Sequence, residues 1–158
     1  IALIGSLLQH FRTTVFRQTM FAEFEKRIHE KMAEEGTLTA DGISELYLSI
    51  NKEYFGPDMI SDPQIALEWA RIPHFYYNYY VFQYSTGFSA AMALSERILS
   101  EGEPAVKDYL NFLSGGCSKD PISLLQGAGV DMRTAEPVHR ALKLFDSLLD
   151  EMEALMEA

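Results

Sequence analysis

A long stretch without helix-breaking residues at the start of the chain most constrains how this sequence can fold. Between Leu3 and Glu35 there is no proline and only one glycine, Gly5. The apolar residues of this stretch recur at a spacing near 3.6, which is typical of an amphipathic helix. They are Leu7, Leu8, Phe11, Val15, Phe16, Met20, Phe21, Phe24, Ile28 and Met32. Gly36 follows as a suitable C-terminal cap, so we predict one long helix that ends there.

Proline, glycine and N-cap residues divide the rest of the chain into further helices. None of the segments shows the clean alternation that is typical of a strand. We therefore predict an all-α fold, an irregular bundle of about seven helices, with residues 1–158 as a single helical segment. After the first, the predicted helices are Thr39 to about Glu53, Asp62 to Arg71, Pro73 to about Ser100, Pro104 to Leu113, Asp120 to before Gly127, and Thr134 onward.

Charge and hydropathy exclude two classes of partner. The chain has 13 Lys and Arg against 23 Asp and Glu, a net charge of −10, which is the wrong sign for a phosphate backbone. Its longest apolar stretch, around Gly87 to Leu94, is far shorter than the roughly 20 residues of a membrane helix. We therefore expect neither a nucleic-acid partner nor a membrane partner.

The start of the chain and its single cysteine indicate whether it belongs to a longer polypeptide and in which compartment it is found. It begins at Ile1 with no signal segment before it, so we expect it to be part of a longer polypeptide. Cys117 is the only cysteine and no Asn-x-Ser/Thr acceptor is present. Both features fit a reducing compartment, and the expected location is cytoplasmic.

Three short motifs are similar to known chemical sites but lack required partners. The run that starts at His29 has Ala33 where the helical zinc motif His-Glu-x-x-His needs its second histidine. Glu136 and His139 have the spacing of a di-iron bundle, which needs a second such pair, so a ferritin-like interpretation rests on one incomplete motif. Cys117 lies in a glycine-rich loop without a base that the sequence can supply. We expect no metal site within this chain.

A tyrosine-rich segment is the strongest candidate for a chemical site. Five of the eight tyrosines fall within residues 76–84. On a continuous helix, Tyr77, Tyr80 and Tyr84 would share an arc of roughly 60°, with His74 on its flank. Phenols on a wet face donate hydrogen bonds to a developing oxyanion, which suits acyl-group hydrolysis. The alternative is a helix that is buried on several sides and whose tyrosines each find a backbone acceptor.

Four blocks of sequence, in order along the chain, carry a family resemblance. They are Phe16 to Glu25, Trp69 to Tyr77, Tyr84 to Ala91, and Gly127 to Asp131. Together they resemble the C-terminal part of the oligoendopeptidase F family, zinc metallopeptidases related to thimet oligopeptidase. The resemblance implies an all-α peptidase with a deep channel that admits short unstructured peptides. It also implies that residues 1–158 are the C-terminal portion of the catalytic domain.

The same resemblance implies roles for individual residues. His74, Tyr77 and Tyr84 are the expected catalytic residues, and Tyr80 and Arg71 are expected to bind substrate. In that family one zinc ion is held by His-Glu-x-x-His and a further Glu, all upstream of the part that this chain resembles. We therefore expect the zinc ligands outside these residues.

The function implied is hydrolysis of internal bonds of short peptides, with the upstream part of the same polypeptide as a further partner. Relatives often have tyrosine where this chain has Phe82, which carries no hydroxyl. The residues alone also allow a non-catalytic helical interaction module. We expect residues 1–158 alone to be inactive, and to dimerise or aggregate through the exposed rings of Phe16, Phe21 and Phe24.

Overall fold

The breaker-free start of the chain is helical in the computed structural model, which describes residues 1–157. It forms α1 (Ala2–His10), a π-helical segment (Phe11–Phe16) and α2 (Arg17–Glu35). Apolar spacing does not reveal the π-helical turns, because it reports which face is buried and not the hydrogen-bond pattern. Gly36 ends α2 in the left-handed conformation, with φ 72°, as predicted.

The all-α prediction is confirmed, with seven α-helices among residues 1–157 and no strand in that range. Thr39 caps the second predicted helix, since its hydroxyl accepts a hydrogen bond from the Gly42 N–H at 3.1 Å. Within the same range, no helix is long and apolar enough to cross a lipid bilayer. The remaining elements are α3 (Ala40–Phe55), 3₁₀ helices at Pro63–Arg71 and Pro73–Tyr76, α4 (Phe82–Glu101), α5 (Glu103–Ser114), α6 (Pro121–Gly127) and α7 (Glu136–Glu157).

The prediction of a continuous helix from Pro73 to about Ser100 is wrong. The 3₁₀ helix that starts there ends at Tyr76, and α4 begins only at Phe82. Between them Asn78 and Tyr79 adopt left-handed backbone conformations, with φ 48° and 62°. The Tyr79 N–H donates to a side chain from α2 instead of to a helical carbonyl. A contact between segments distant in sequence thus interrupts a helix that local periodicity favoured.

The chain divides into two compact units. The central unit is residues 16–85, and the flanking unit is residues 1–15 together with residue 86 onward. In the central unit α2 packs against α3, and α3 packs against the 3₁₀ helix Pro63–Arg71. Its core consists of Met20, Phe21, Phe24, Tyr47, Ile50 and Val81.

The flanking unit combines an aromatic contact with a cluster of smaller side chains. Here α1 packs against α7, and α5 against α6. The ring of Phe11 lies 4.9 Å from that of Phe88 and 5.4 Å from that of Phe145. One buried cluster consists of Ala90, Ala93, Leu94, Ala128 and Val130.

The expectation that Phe21 and Phe24 are exposed is wrong. They are 3% and 1% exposed, because the central unit covers this face of α2 with its own elements. The ring of Phe24 lies 5.0 Å from that of Tyr47 and 5.1 Å from that of Phe75. Phe16 is half-buried. Dimerisation or aggregation of residues 1–158 alone stays a prediction. The rings of Phe21 and Phe24, however, do not form the exposed apolar surface from which we expected it.

Candidate functional site

The tyrosine-rich segment gathers three phenol rings around one imidazole. The ring of His74 lies 5.9 Å from that of Tyr77, 5.8 Å from that of Tyr80 and 5.9 Å from that of Tyr84. We call these four residues the histidine–tyrosine cluster. His74 belongs to a 3₁₀ helix, Tyr77 is its C-cap and Tyr84 lies in the first turn of α4. The predicted residues therefore come together across a turn, and not on one helix face.

Within the cluster, one phenol is in hydrogen-bonding distance of the imidazole. The Tyr84 hydroxyl lies 3.3 Å from His74 Nε2. The ring of Tyr80 stacks on His74 at an interplanar angle of 20°, whereas Tyr84 meets it edge-on at 82°. The pKa of the Tyr84 phenol is raised above its ordinary value, mainly by a hydrogen bond with Tyr80 and to a smaller extent by desolvation. Tyr84 therefore keeps its proton at neutral pH and is a hydrogen-bond donor.

The three phenols of the cluster are open to solvent. Tyr77 is 59% exposed, Tyr80 is 39% exposed and Tyr84 is 38% exposed. By contrast, Tyr47 is 1% exposed, and its hydroxyl donates to Glu68 at 2.6 Å. Within residues 1–157 the cluster tyrosines are therefore not buried on several sides, as the alternative interpretation of this segment required.

Arg71, the other residue expected to bind substrate, has a structural partner. Its guanidinium pairs with Glu68, a buried carboxylate that also pairs with Arg17 and accepts the Tyr47 hydroxyl. Burial raises the pKa of Glu68, but the hydrogen bonds from Tyr47 and Arg17 outweigh burial and hold that pKa below its ordinary value. The Arg71 side chain is still 71% exposed. It remains accessible while Glu68 fixes one of its nitrogen atoms.

Residues 1–157 do not fit a zinc ion. Among them there is no group of three or more His, Cys, Asp or Glu side chains that could hold a metal. His29 packs its ring against that of Tyr79 at 4.8 Å. Glu136 accepts a hydrogen bond from Arg140 at 3.0 Å. The two incomplete metal motifs of the sequence are therefore ordinary helix positions.

Glu25 is a site residue that sequence reasoning missed. It lies on α2 four residues after Phe21, on the apolar face of that helix, and it is fully buried. Its Oε1 accepts a hydrogen bond from the Tyr79 N–H at 2.7 Å. The available signal was a carboxyl group in an apolar stripe, where an acidic residue needs a partner.

Comparison with known proteins places the chain in a peptidase family. The sequence profile of peptidase family M3 matches residues 1–144. The chain belongs to peptidase family M3. The resemblance seen in the sequence blocks is thereby confirmed.

Relatives with high identity show the same pattern of coverage. The chain is 55% identical over 154 residues to oligopeptidase PepF of Bacillus subtilis (strain 168), covering 98% of this chain and 23% of that protein. It is 45% identical over 156 residues to the chromosomal oligoendopeptidase F of Lactococcus lactis subsp. cremoris, covering 99% of this chain and 26% of that protein. The chain thus spans about a quarter of the length of these relatives.

A solved structure has the same fold. The crystal structure of oligoendopeptidase-F from Enterococcus faecium is similar to this chain with a TM-score of 0.93 and 46% sequence identity. The match covers 99% of this chain and 30% of that one. The all-α architecture described above is therefore that of part of an oligoendopeptidase-F structure.

Proposed function

We propose that residues 1–158 are the C-terminal, substrate-binding part of a zinc-dependent oligopeptidase that hydrolyses internal bonds of short peptides. Family membership and the names of the relatives support peptide hydrolysis, and the quarter-length coverage supports a larger whole. Zinc, when bound, supplies Lewis-acid chemistry at the scissile carbonyl. Its ligands belong to the upstream part of the same polypeptide, because residues 1–157 offer no fitting set.

The exposed cluster around His74 carries the proposal. Tyr84 donates a hydrogen bond from its phenol to the oxyanion that develops on the peptide carbonyl. The raised pKa of Tyr84 favours its protonated form. His74 orients the hydroxyl by donating from Nε2–H to the phenol oxygen at 3.3 Å, so that the phenol proton stays free for the oxyanion. Tyr77 is more exposed than Tyr84, and its ring also lies 5.9 Å from that of His74, so it supplies a second donor beside this residue. His74 also fixes the substrate backbone.

Tyr80 and Arg71 bind the peptide beside this centre. Tyr80 holds the His74 ring by stacking and is still 39% exposed, which leaves it accessible to substrate. Arg71 offers guanidinium N–H groups to peptide carbonyls, while Glu68 limits its movement. Phe82 is 49% exposed and contributes apolar contact only. The proposed location is cytoplasmic, which the exposed free thiol of Cys117 supports.

The test is cleavage of a short internally quenched peptide by the full-length protein, with and without a metal chelator. Residues 1–158 alone are the control, and we propose that they are inactive. The expected result is activity that chelator abolishes and added zinc restores. Absence of both cleavage and bound metal in the full-length protein would contradict the proposal and would favour a helical module that binds without cutting.

A further inference from the structure

Two consecutive residues other than glycine hold the left-handed conformation inside the candidate site. Asn78 has φ 48° and Tyr79 has φ 62°. Asparagine adopts the left-handed conformation more often than most residues other than glycine. For a bulky residue such as tyrosine this conformation is an outlier that surrounding contacts must stabilise. The turn lies between Tyr77 and Tyr80, so its conformation decides how both sides of the cluster meet around His74.

Glu25 supplies the contact at this turn. Its Oε1 accepts the Tyr79 N–H at 2.7 Å, across 54 positions of sequence. Its Oε2 is buried and has no hydrogen-bond partner among residues 1–157. A buried carboxyl oxygen without a partner destabilises the folded state. Core packing alone is therefore a poor reason for an acidic residue here, and the bond to Tyr79 is what the carboxyl group provides.

The helix that carries Glu25 contacts Tyr79 a second time. His29, one turn further along α2, packs its ring against the ring of Tyr79 at 4.8 Å. The same helix is anchored in the core of the central unit, where the Phe24 ring lies 5.1 Å from that of Phe75, the neighbour of His74. Both the backbone and the ring of Tyr79 are thus held by a fixed element.

We propose that Glu25 is a positioning residue for peptide hydrolysis. It holds the Asn78–Tyr79 turn and thereby sets Tyr80 and Tyr84 against His74. It touches neither substrate nor the reacting atoms, since its carboxyl group is buried. This inference rests on the proposed function and adds to it a residue that acts through the backbone of the site.

Three substitutions in the full-length protein separate this role from a structural one. Glu25→Gln keeps an oxygen that accepts the Tyr79 N–H, so kcat should stay within about threefold of wild type. Glu25→Leu removes the acceptor and should lower kcat by up to about 10²-fold, the size expected for a small misplacement of catalytic groups. Glu25→Asp has a side chain one methylene shorter and should also lower kcat. This variant replaces Glu25→Leu in the test if the leucine variant does not fold. KM should change less than kcat.

The matched control is Glu23→Gln on the same helix. Glu23 accepts from Tyr54 at 2.7 Å and pairs with Arg27, so this change should leave kcat near wild type. An equal loss of kcat in the Glu23 and Glu25 variants would overturn the inference, because it would report general damage to α2.

A double-mutant cycle tests whether Glu25 acts through the cluster. If it positions Tyr84, the loss caused by Glu25→Leu should be much smaller in a Tyr84→Phe background than in wild type. The same fold-loss in both backgrounds would overturn the inference.

Amide hydrogen exchange of residues 77–81 gives a readout that does not require activity. Exchange should become faster in Glu25→Leu and stay near wild type in Glu25→Gln and Glu23→Gln. Unchanged exchange together with unchanged kcat in the folded leucine variant overturns this inference and leaves the proposed function standing. No cleavage by wild type overturns the proposed function and the positioning role for hydrolysis, while exchange still decides whether Glu25 holds the turn.

Discussion

The central and flanking units differ in what they bury. The central unit encloses polar groups, namely Glu25, Asn51 and Glu68, and connects them to Tyr79, Ser61 and Tyr47 by hydrogen bonds. The flanking unit buries the Phe11 ring, alanines, medium-sized aliphatic side chains and the uncharged Ser89, and no Asp, Glu, Lys or Arg of its described residues is buried. Buried polar networks fix geometry at the expense of stability. Among the described residues, the buried carboxylates, Glu25 and Glu68, lie in the central unit, so the two units differ in whether they bury charge.

The largest expected effect lies at the exposed cluster of the central unit. Tyr84→Phe in the full-length protein should lower kcat by about 10²-fold to 10³-fold, because it removes one donor to the oxyanion. Tyr109→Phe, in the flanking unit, should leave kcat unchanged. Steady-state cleavage of a quenched peptide measures both. A wild-type kcat for Tyr84→Phe would show that this phenol is not a catalytic residue. The two units would then not differ in their effect on kcat.

The next largest effect concerns the buried carboxylate of the central unit. Glu68→Gln should lower the free energy of unfolding by about 2 kcal/mol, because it removes the negative charge that pairs with Arg17 and Arg71 and leaves only one oxygen to accept their hydrogen bonds and that of Tyr47. Glu101→Gln breaks an exposed ion pair with Arg97 in the flanking unit and should not measurably change Tm. Thermal denaturation of the two full-length variants gives the comparison. Equal Tm shifts for Glu68→Gln and Glu101→Gln would show that the buried charge of the central unit stabilises the protein no more than the ion pair of the flanking unit.

The flanking unit should respond to backbone strain instead. Gly129 has φ 78°, and a Cβ placed there would collide with the guanidinium of Arg97, which donates to the Ala128 carbonyl. Gly129→Ala should therefore destabilise the protein by about 1–2 kcal/mol. Gly87→Ala, in open space on α4, should be neutral or should stabilise it by up to about 1 kcal/mol. Denaturant unfolding tests this pair, and similar values for both would contradict the tight fit at Gly129.

The smallest expected effect is a difference in acid sensitivity. The folded-state pKa of Glu68 is lowered, so its contribution to stability is present above the unfolded value of about 4.3. That contribution is lost as pH falls through the lower, folded value. The Tm difference between wild type and Glu68→Gln should therefore be largest near pH 7 and should shrink toward pH 3. A difference that is constant across this range would exclude ionised Glu68 as its source.

Local signals predicted the end of α2 and the start of α3, although not the start of α4 at Phe82. Thr39 and Gly36 act as caps through contacts with residues three or four positions away, which a sequence shows directly. The fold class followed from the same signals. The sequence also predicted the apolar face of α2, but it did not predict which elements bury that face. The residues that pack on Phe24 come from α3 and from the 3₁₀ helix that contains Phe75, which are distant in sequence.

The candidate site was predicted for a partly wrong reason. The helical arc proposed for Tyr77, Tyr80 and Tyr84 does not exist, since the backbone leaves the helix between Tyr76 and Phe82. The rings nevertheless meet around His74 across that break, and the catalytic and binding roles that the family resemblance implied stay predictions. The turn depends on Glu25, which is 54 residues away from its partner. No periodicity within the tyrosine-rich segment contains that information.

The turn at Asn78 and Tyr79 also affects how such a site can vary between homologous sequences. In a continuous helix, each inserted residue would rotate everything after it by about 100° and carry Tyr84 away from His74. Here a short irregular link, residues 77–81, separates a 3₁₀ helix and α4, which pack through their own side chains. The spacing between imidazole and phenol can therefore drift through changes of two or three link residues, while the surrounding helices keep their sequence and register.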